Sequence, residues 1–115
     1  MPQFITIGYG SEVGYAQTDK SVRDAAHAED AKRVQLGDIM GIAGKPVQVR
    51  NHDAAGVQVM AGAFLKADLP IAGFALIEAA DLDAAIEIAW RSPCAFAQGV
   101  VEVWPLNPTP EAAGE

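Results

Sequence analysis

Residues 71–106, IAGFALIEAADLDAAIEIAWRSPCAFAQGVVEVWPL, leave this chain few architectures to choose from. Ile71 to Ala79 is apolar apart from Glu78 and too short for a capped helix, which makes it a central strand. Asp81 follows as an N-cap, since its carboxylate can accept from the free N–H groups of a first helical turn. Leu82, Ala85, Ile86, Ala89 and Trp90 then recur at the spacing of one helical face. Asp83, Glu87 and Arg91 fall opposite, with Glu87 and Arg91 spaced for an i, i+4 ion pair. Ser92-Pro93 stops the helix, because a residue before proline is disfavoured in helical geometry. Gln98 to Leu106 alternates Val101 and Val103 with Glu102 and Trp104, a closing strand that Pro105 ends.

The same reading extends upstream. Gln3 to Tyr9 is a first strand, and Gly8, Gly10 and Gly14 predict a loop after it. Thr18, Asp19 and Ser21 offer cap oxygens, and Ser21 with Asp24 resembles a capping box. The helix they open runs to about Leu36, with Gly37 placed as a C-terminal glycine. It is alanine-rich and only weakly amphipathic, so periodicity does not define its buried side. Ile39 to Ala43 is a second strand. Val47-Gln48-Val49 and Val57-Gln58-Val59 flank Asn51 to Gly56 as a hairpin with a six-residue loop. With the hairpin set aside, the order βαββαβ is that of an α+β, ferredoxin-like sheet with two helices on one face. Apolar residues on both parities of Ile71 to Ala79 imply that the other face is covered too, most simply by a second subunit. Residues 1–106 are expected to form one domain. The remainder, NPTPEAAGE at 107–115, has no large apolar side chain and is expected to be disordered.

Composition narrows the function classes. The 115 residues are half hydrophobic, enough for a core without metal or disulfide staples. Cys94 is the only cysteine, so no internal disulfide can form, which fits a reducing cytoplasm. No basic leader with a long apolar run opens the sequence, and no stretch approaches the ~20 apolar residues of a membrane span. A net charge of −7 argues against nucleic-acid partners and disfavours strongly anionic substrates, although one local arginine can override a global field.

His27 is the leading candidate for chemistry, imidazole being the side chain best suited to moving protons near neutral pH. Arg23 lies four residues before it and Asp30 three after, within one sector of the helix roughly 60° wide. A carboxylate beside the imidazole would fix its tautomer and the arginine would hold a substrate anion. The plainer alternative is a solvated face of mutual ion pairs. Asp38, just past the helix, is a second candidate carboxylate, or a turn residue. Arg50 ends a hairpin strand and is either an exposed edge charge or an anchor for an anionic ligand, and Tyr9 and Phe64 are candidate pocket walls. Trp90 belongs to the core stripe of its helix. His52 reads as turn chemistry, and two histidines in no ligand spacing give no metal site. Cys94 reads as a small buried hydrophobe. A redox role for it would need an accessible thiol of low pKa. Gly8, Gly10 and Gly14 lack the lysine of a phosphate loop.

Several of these features together resemble the YCII-related proteins, in particular the group carrying a DGPF motif. They are the first strand ending in Tyr9-Gly10, His27 in the first helix, the glycine-bounded second strand, AGFALIEAADLDAAIEIAWRSP and the closing VEVWPL, and the likeness spans roughly residues 2–106. It implies a dimeric α/β barrel, two ferredoxin-like sheets packed face to face. It also implies, for some members, a histidine near an aspartate acting as an enzyme, with a dehydrochlorinase in one branch. DGPF itself is replaced here by Ala61-Gly62-Ala63-Phe64, and the charged residues after it stand as Lys66 and Asp68 with their signs exchanged. The expectation is therefore a cytoplasmic homodimer binding a small, aromatic-sized organic molecule. Cofactor-free acid–base chemistry would use His27, with Asp30 or Asp38 orienting it and Arg23 as anchor. The alternative is a non-catalytic ligand-binding or dimerisation module.

Overall fold

The computed structural model of the chain describes residues 1–108. Its elements are β1 (Gln3–Tyr9), α1 (Glu12–Gln17), α2 (Lys20–Gln35), β2 (Ile39–Ile42), β3 (Val47–Arg50), β4 (Gln58–Ala61), β5 (Ile71–Glu78), α3 (Leu82–Trp90), α4 (Pro93–Phe96) and β6 (Val100–Leu106). Four strands form one sheet in the order β2-β5-β1-β6, with every neighbouring pair antiparallel. β3 and β4 pair only with each other, as a separate two-stranded ribbon. The domain is thus mixed α+β with two sheets. Among the described residues no helix is long and apolar enough to cross a membrane. The segment expected to be disordered lies, from residue 109 onward, outside the described residues.

The expected dimeric α/β barrel is not found. The four-stranded sheet is open, with β2 and β6 as free edges, and the ribbon does not bridge them. Four twisted strands are about half the number that a closed barrel of packed side chains requires, and the two hairpin strands that might have extended the sheet are taken up by each other.

Two short helices lie where loops were expected. Ser11 caps α1 by accepting from the Gly14 amide at 3.1 Å. Glycine is tolerated inside this helix because the helix packs tightly: a Cβ on Gly14 would stand 2.7 Å from the Ala97 carbonyl oxygen. In α4, Pro93 sits in the first turn, where its missing N–H costs nothing. Ser92-Pro93 therefore ends one helix and begins another. The cap of α2 is Asp19 rather than Ser21, and its side chain makes no capping bond. Its C-terminus does end at Gly37, whose φ of +104° suits glycine.

The core joins β1, β5 and α3 through Phe4, Ile77, Ala79 and Ala85, with Ala75, Ala84, Ile88 and Val103 packed around them. Asp81 caps α3, accepting from the Ala84 amide at 2.8 Å, and Arg91 bonds Glu87 at 2.8 Å. The buried side of α3 is made of alanines. Ala85 and Ala89 bring the helix close to the sheet, whereas Leu82, Ile86 and Trp90 are turned outward. Trp90 is thus not a core residue. It is 51% exposed and meets Phe96 edge-on, because a stripe wide enough to include it does not fit under a helix seated on alanines.

Among the described residues, the other face of the sheet is left largely open. Strand register sets Ile39, Leu76, Ile5 and Trp104 side by side across all four strands, with Phe74 and Ile7 in the adjacent position. Ile39 is 67% exposed, Trp104 55% and Phe74 47%.

Candidate functional site

The position of α2 creates a cavity. Asp38, immediately after the helix, pairs with Arg33 Nε, and its other oxygen accepts from the Glu78 amide at 3.2 Å. Arg33 also donates from Nη2 to the Glu78 carbonyl at 3.0 Å. These bonds fasten the C-terminal end of α2 to the end of β5. Farther along, α2 leans chiefly on α4. The gap beneath it is a cavity of about 650 Å³. Thr6, Gly8, Gly73 and Ala75 line it from the sheet, side chains too small to fill the space. Tyr15, His27, Asp30 and Cys94 line it from the helices.

Tyr15 and His27 are joined at 2.9 Å, phenol oxygen to Nε2. One nitrogen of the imidazole is therefore held by α1, and the other has no hydrogen-bond partner among the described residues. Asp30, one turn along α2, has no hydrogen bond or ion pair among the described residues. Burial pushes its carboxyl above the usual carboxylate range, and His27 opposes that rise. Burial, and then the charge of Asp30, push the Cys94 thiol up as well. That direction is opposite to the low pKa that redox chemistry asks of a thiol. An apolar space edged by an imidazole, a phenol and a carboxyl can bind a small organic molecule and exchange a proton with it.

The other candidate residues are dispersed. Arg23 does not line the cavity: its guanidinium lies 4.7 Å from the centroid of the Tyr15 ring, and its buried Nε has no partner among the described residues. Asp38 is committed to Arg33 and Glu78, so the structure does not bring it to His27. Arg50 and Phe64 stack at 5.8 Å in a separate groove of about 460 Å³ between the β3–β4 ribbon and Phe74. Tyr9 is buried, and its phenol donates to Glu102, which holds the phenol above its ordinary pKa. His52 is in an exposed 3-10 turn, and among the described residues no three His, Cys, Asp or Glu side chains converge as a metal set.

Tyr15 is the member of the site that sequence reasoning missed. Its signal was Ser11, a cap residue directly before Glu12, which was outweighed by the glycines around it.

The cavity floor depends on glycine. A Cβ on Gly73 would come within 2.6 Å of the Gly41 carbonyl oxygen on β2, whereas one on Gly41 would meet nothing within 4 Å. Gly73→Ala is expected to lower stability by ~2 kcal/mol by displacing backbone. Gly41→Ala should be neutral or stabilising by ~0.5 kcal/mol, through the chain entropy that glycine carries. Urea unfolding of both variants checks the contrast.

The sequence profile of the YCII-related domain matches residues 15–109, and the chain belongs to that family. A search of curated proteins finds no match. The matched segment begins at Tyr15 and includes His27, Asp30 and Cys94 of the cavity lining.

Proposed function

As a member of the YCII-related family, the chain is one for which we propose a small-molecule site with cofactor-free acid–base chemistry centred on His27. The observation that carries this reading is the Tyr15–His27 hydrogen bond at the edge of the apolar cavity. Tyr15 fixes the ring and His27 moves the proton. Asp30 supplies a carboxyl within the same space, where the resemblance had suggested a histidine–aspartate pair. Arg23 acts through Tyr15 as a positioning residue, its charge lying over the ring. Proton transfer is measurable without knowing the full reaction, as deuterium uptake in D2O by small neutral aromatic and carbonyl compounds. His27→Gln is expected to slow that uptake by ~10²- to 10⁴-fold while ligand affinity stays within a few-fold. Equal uptake by the two proteins would remove the catalytic role.

A second reading, a non-catalytic binding module, is favoured by the partner of the imidazole, which is a neutral phenol and not a carboxylate. Unaltered ligand affinity in His27→Gln, with no uptake catalysed by the wild-type protein, would select it.

The open sheet face supports association of two copies. The chain exposes 8194 Å², against roughly 6,000 Å² for a folded monomer of its mass. Residues 109–115 do not account for the difference, since even a fully extended stretch of that length exposes about 1,000 Å². The remainder, about 1,200 Å², exceeds the ~800 Å² that one partner contributes to a standard interface. An apolar row crossing the whole sheet suits a second copy of itself, because a two-fold axis sets the same patch against itself.

A further inference from the structure

We propose that the cavity under α2 takes small organic amines, the ammonium resting on Asp30 and the apolar body lying over Gly8, Gly73 and Ala75. This rests on the reading of the cavity as a small-molecule site and adds the charge of the ligand. The cations around the cavity are already satisfied. Arg33 is held by Asp38, Arg91 by Glu87 at 2.8 Å and Lys32 by Glu29 at 3.5 Å. Arg23 is stacked on Tyr15, outside the lining. Asp30 is the contrasting group, a carboxyl of the lining with no cation or donor among the described residues. Its neighbours His27 and Tyr15 are engaged with each other, and Cys94 on α4 lines the same cavity.

The lining carries three cations (Lys32, Arg33, Arg91) and two acids (Glu29, Asp30); each cation has an acid partner, Asp38 and Glu87 reaching in from outside the lining, which leaves Asp30 as the unpaired charge, and the whole chain carries −7. A carboxylate ligand would be desolvated without a counter-charge, whereas an ammonium would supply the one that Asp30 lacks. The inference reverses the expectation of an anionic substrate held by Arg23.

The test uses three probes of one shape: benzylamine, benzyl alcohol and benzoate, titrated into the whole chain by NMR, with Asp30→Asn in parallel. Benzylamine is expected to bind at least tenfold more tightly than benzoate and to shift the amides of residues 27–30 and 73–75. Asp30→Asn should erase that preference. Benzoate binding as tightly as benzylamine, or a preference that survives Asp30→Asn, overturns the amine proposal and leaves the small-molecule site standing. Failure of all three probes to shift the cavity residues overturns the site and the amine proposal together.

Discussion

Asp38→Ala is expected to destabilise the domain by ~3 kcal/mol, far beyond the effect of Asp30→Asn or of any surface carboxylate. The Asp38 side chain is 4% exposed, and its partner Arg33 is 21% exposed. Removing the carboxylate strands a largely buried guanidinium and takes the acceptor from the Glu78 amide, so two costs arise from one change. The partial exposure of Arg33 puts the loss at the lower end of the range for broken buried pairs. In urea the unfolding midpoint should fall by roughly 1–3 M, and the melting temperature by more than about 10 °C. Asp30→Asn removes a carboxyl with no partner whose charge burial disfavours, and should leave both unchanged or slightly raised. If Asp38 served His27 instead, the order would invert: activity would fall in Asp38→Asn with little change in the urea midpoint.

The same comparison shows what a sequence can and cannot reveal here. The strands and the two longer helices were readable because each has a local cause, such as the Asp81 cap, the proline stops, the glycine after α2 and the alternation in β6. α1 and α4 were hidden because their causes are tertiary. Gly14 is helical where a side chain would strike Ala97, and Pro93 could be read equally as an end or as a beginning. The buried side of α3 was misjudged for a related reason. Periodicity locates a stripe, but the distance between helix and sheet decides how wide a stripe can be buried, and alanine sets that distance.

The site was readable only in its centre. His27 and Asp30 share a helical sector by spacing, so one helix brings them to one cavity. Asp38 and Arg50 are separated from them by turns whose direction no local pattern encodes, and each found a different partner. Arg23 has the right spacing, but a neighbouring aromatic from α1 captured it. The barrel expectation failed at a longer range still. Whether β3 and β4 join the main sheet or pair alone depends on the connections at residues 43–46 and 62–70, and alternating valines are compatible with both.

If two copies pair through the open sheet face, as proposed, Phe74→Lys combined with Trp104→Lys is expected to convert a dimer of twice 12.0 kDa into a 12.0 kDa monomer, read by light scattering or sedimentation. Both side chains are about half exposed in the single chain, at 47% and 55%, so lysine leaves the folded monomer nearly intact. In a two-fold interface each substitution appears twice. Burying the exposed half of an aromatic side chain contributes ~1 kcal/mol, and four such losses total ~4 kcal/mol, or about a thousandfold in dissociation constant. Lysines facing lysines across the axis add repulsion that salt would partly screen. Raising ionic strength should therefore restore a little association to the double variant and leave the wild-type dimer, held by apolar area, unmoved. A wild-type chain that sediments at 12.0 kDa at every concentration would overturn the proposed pairing of two copies.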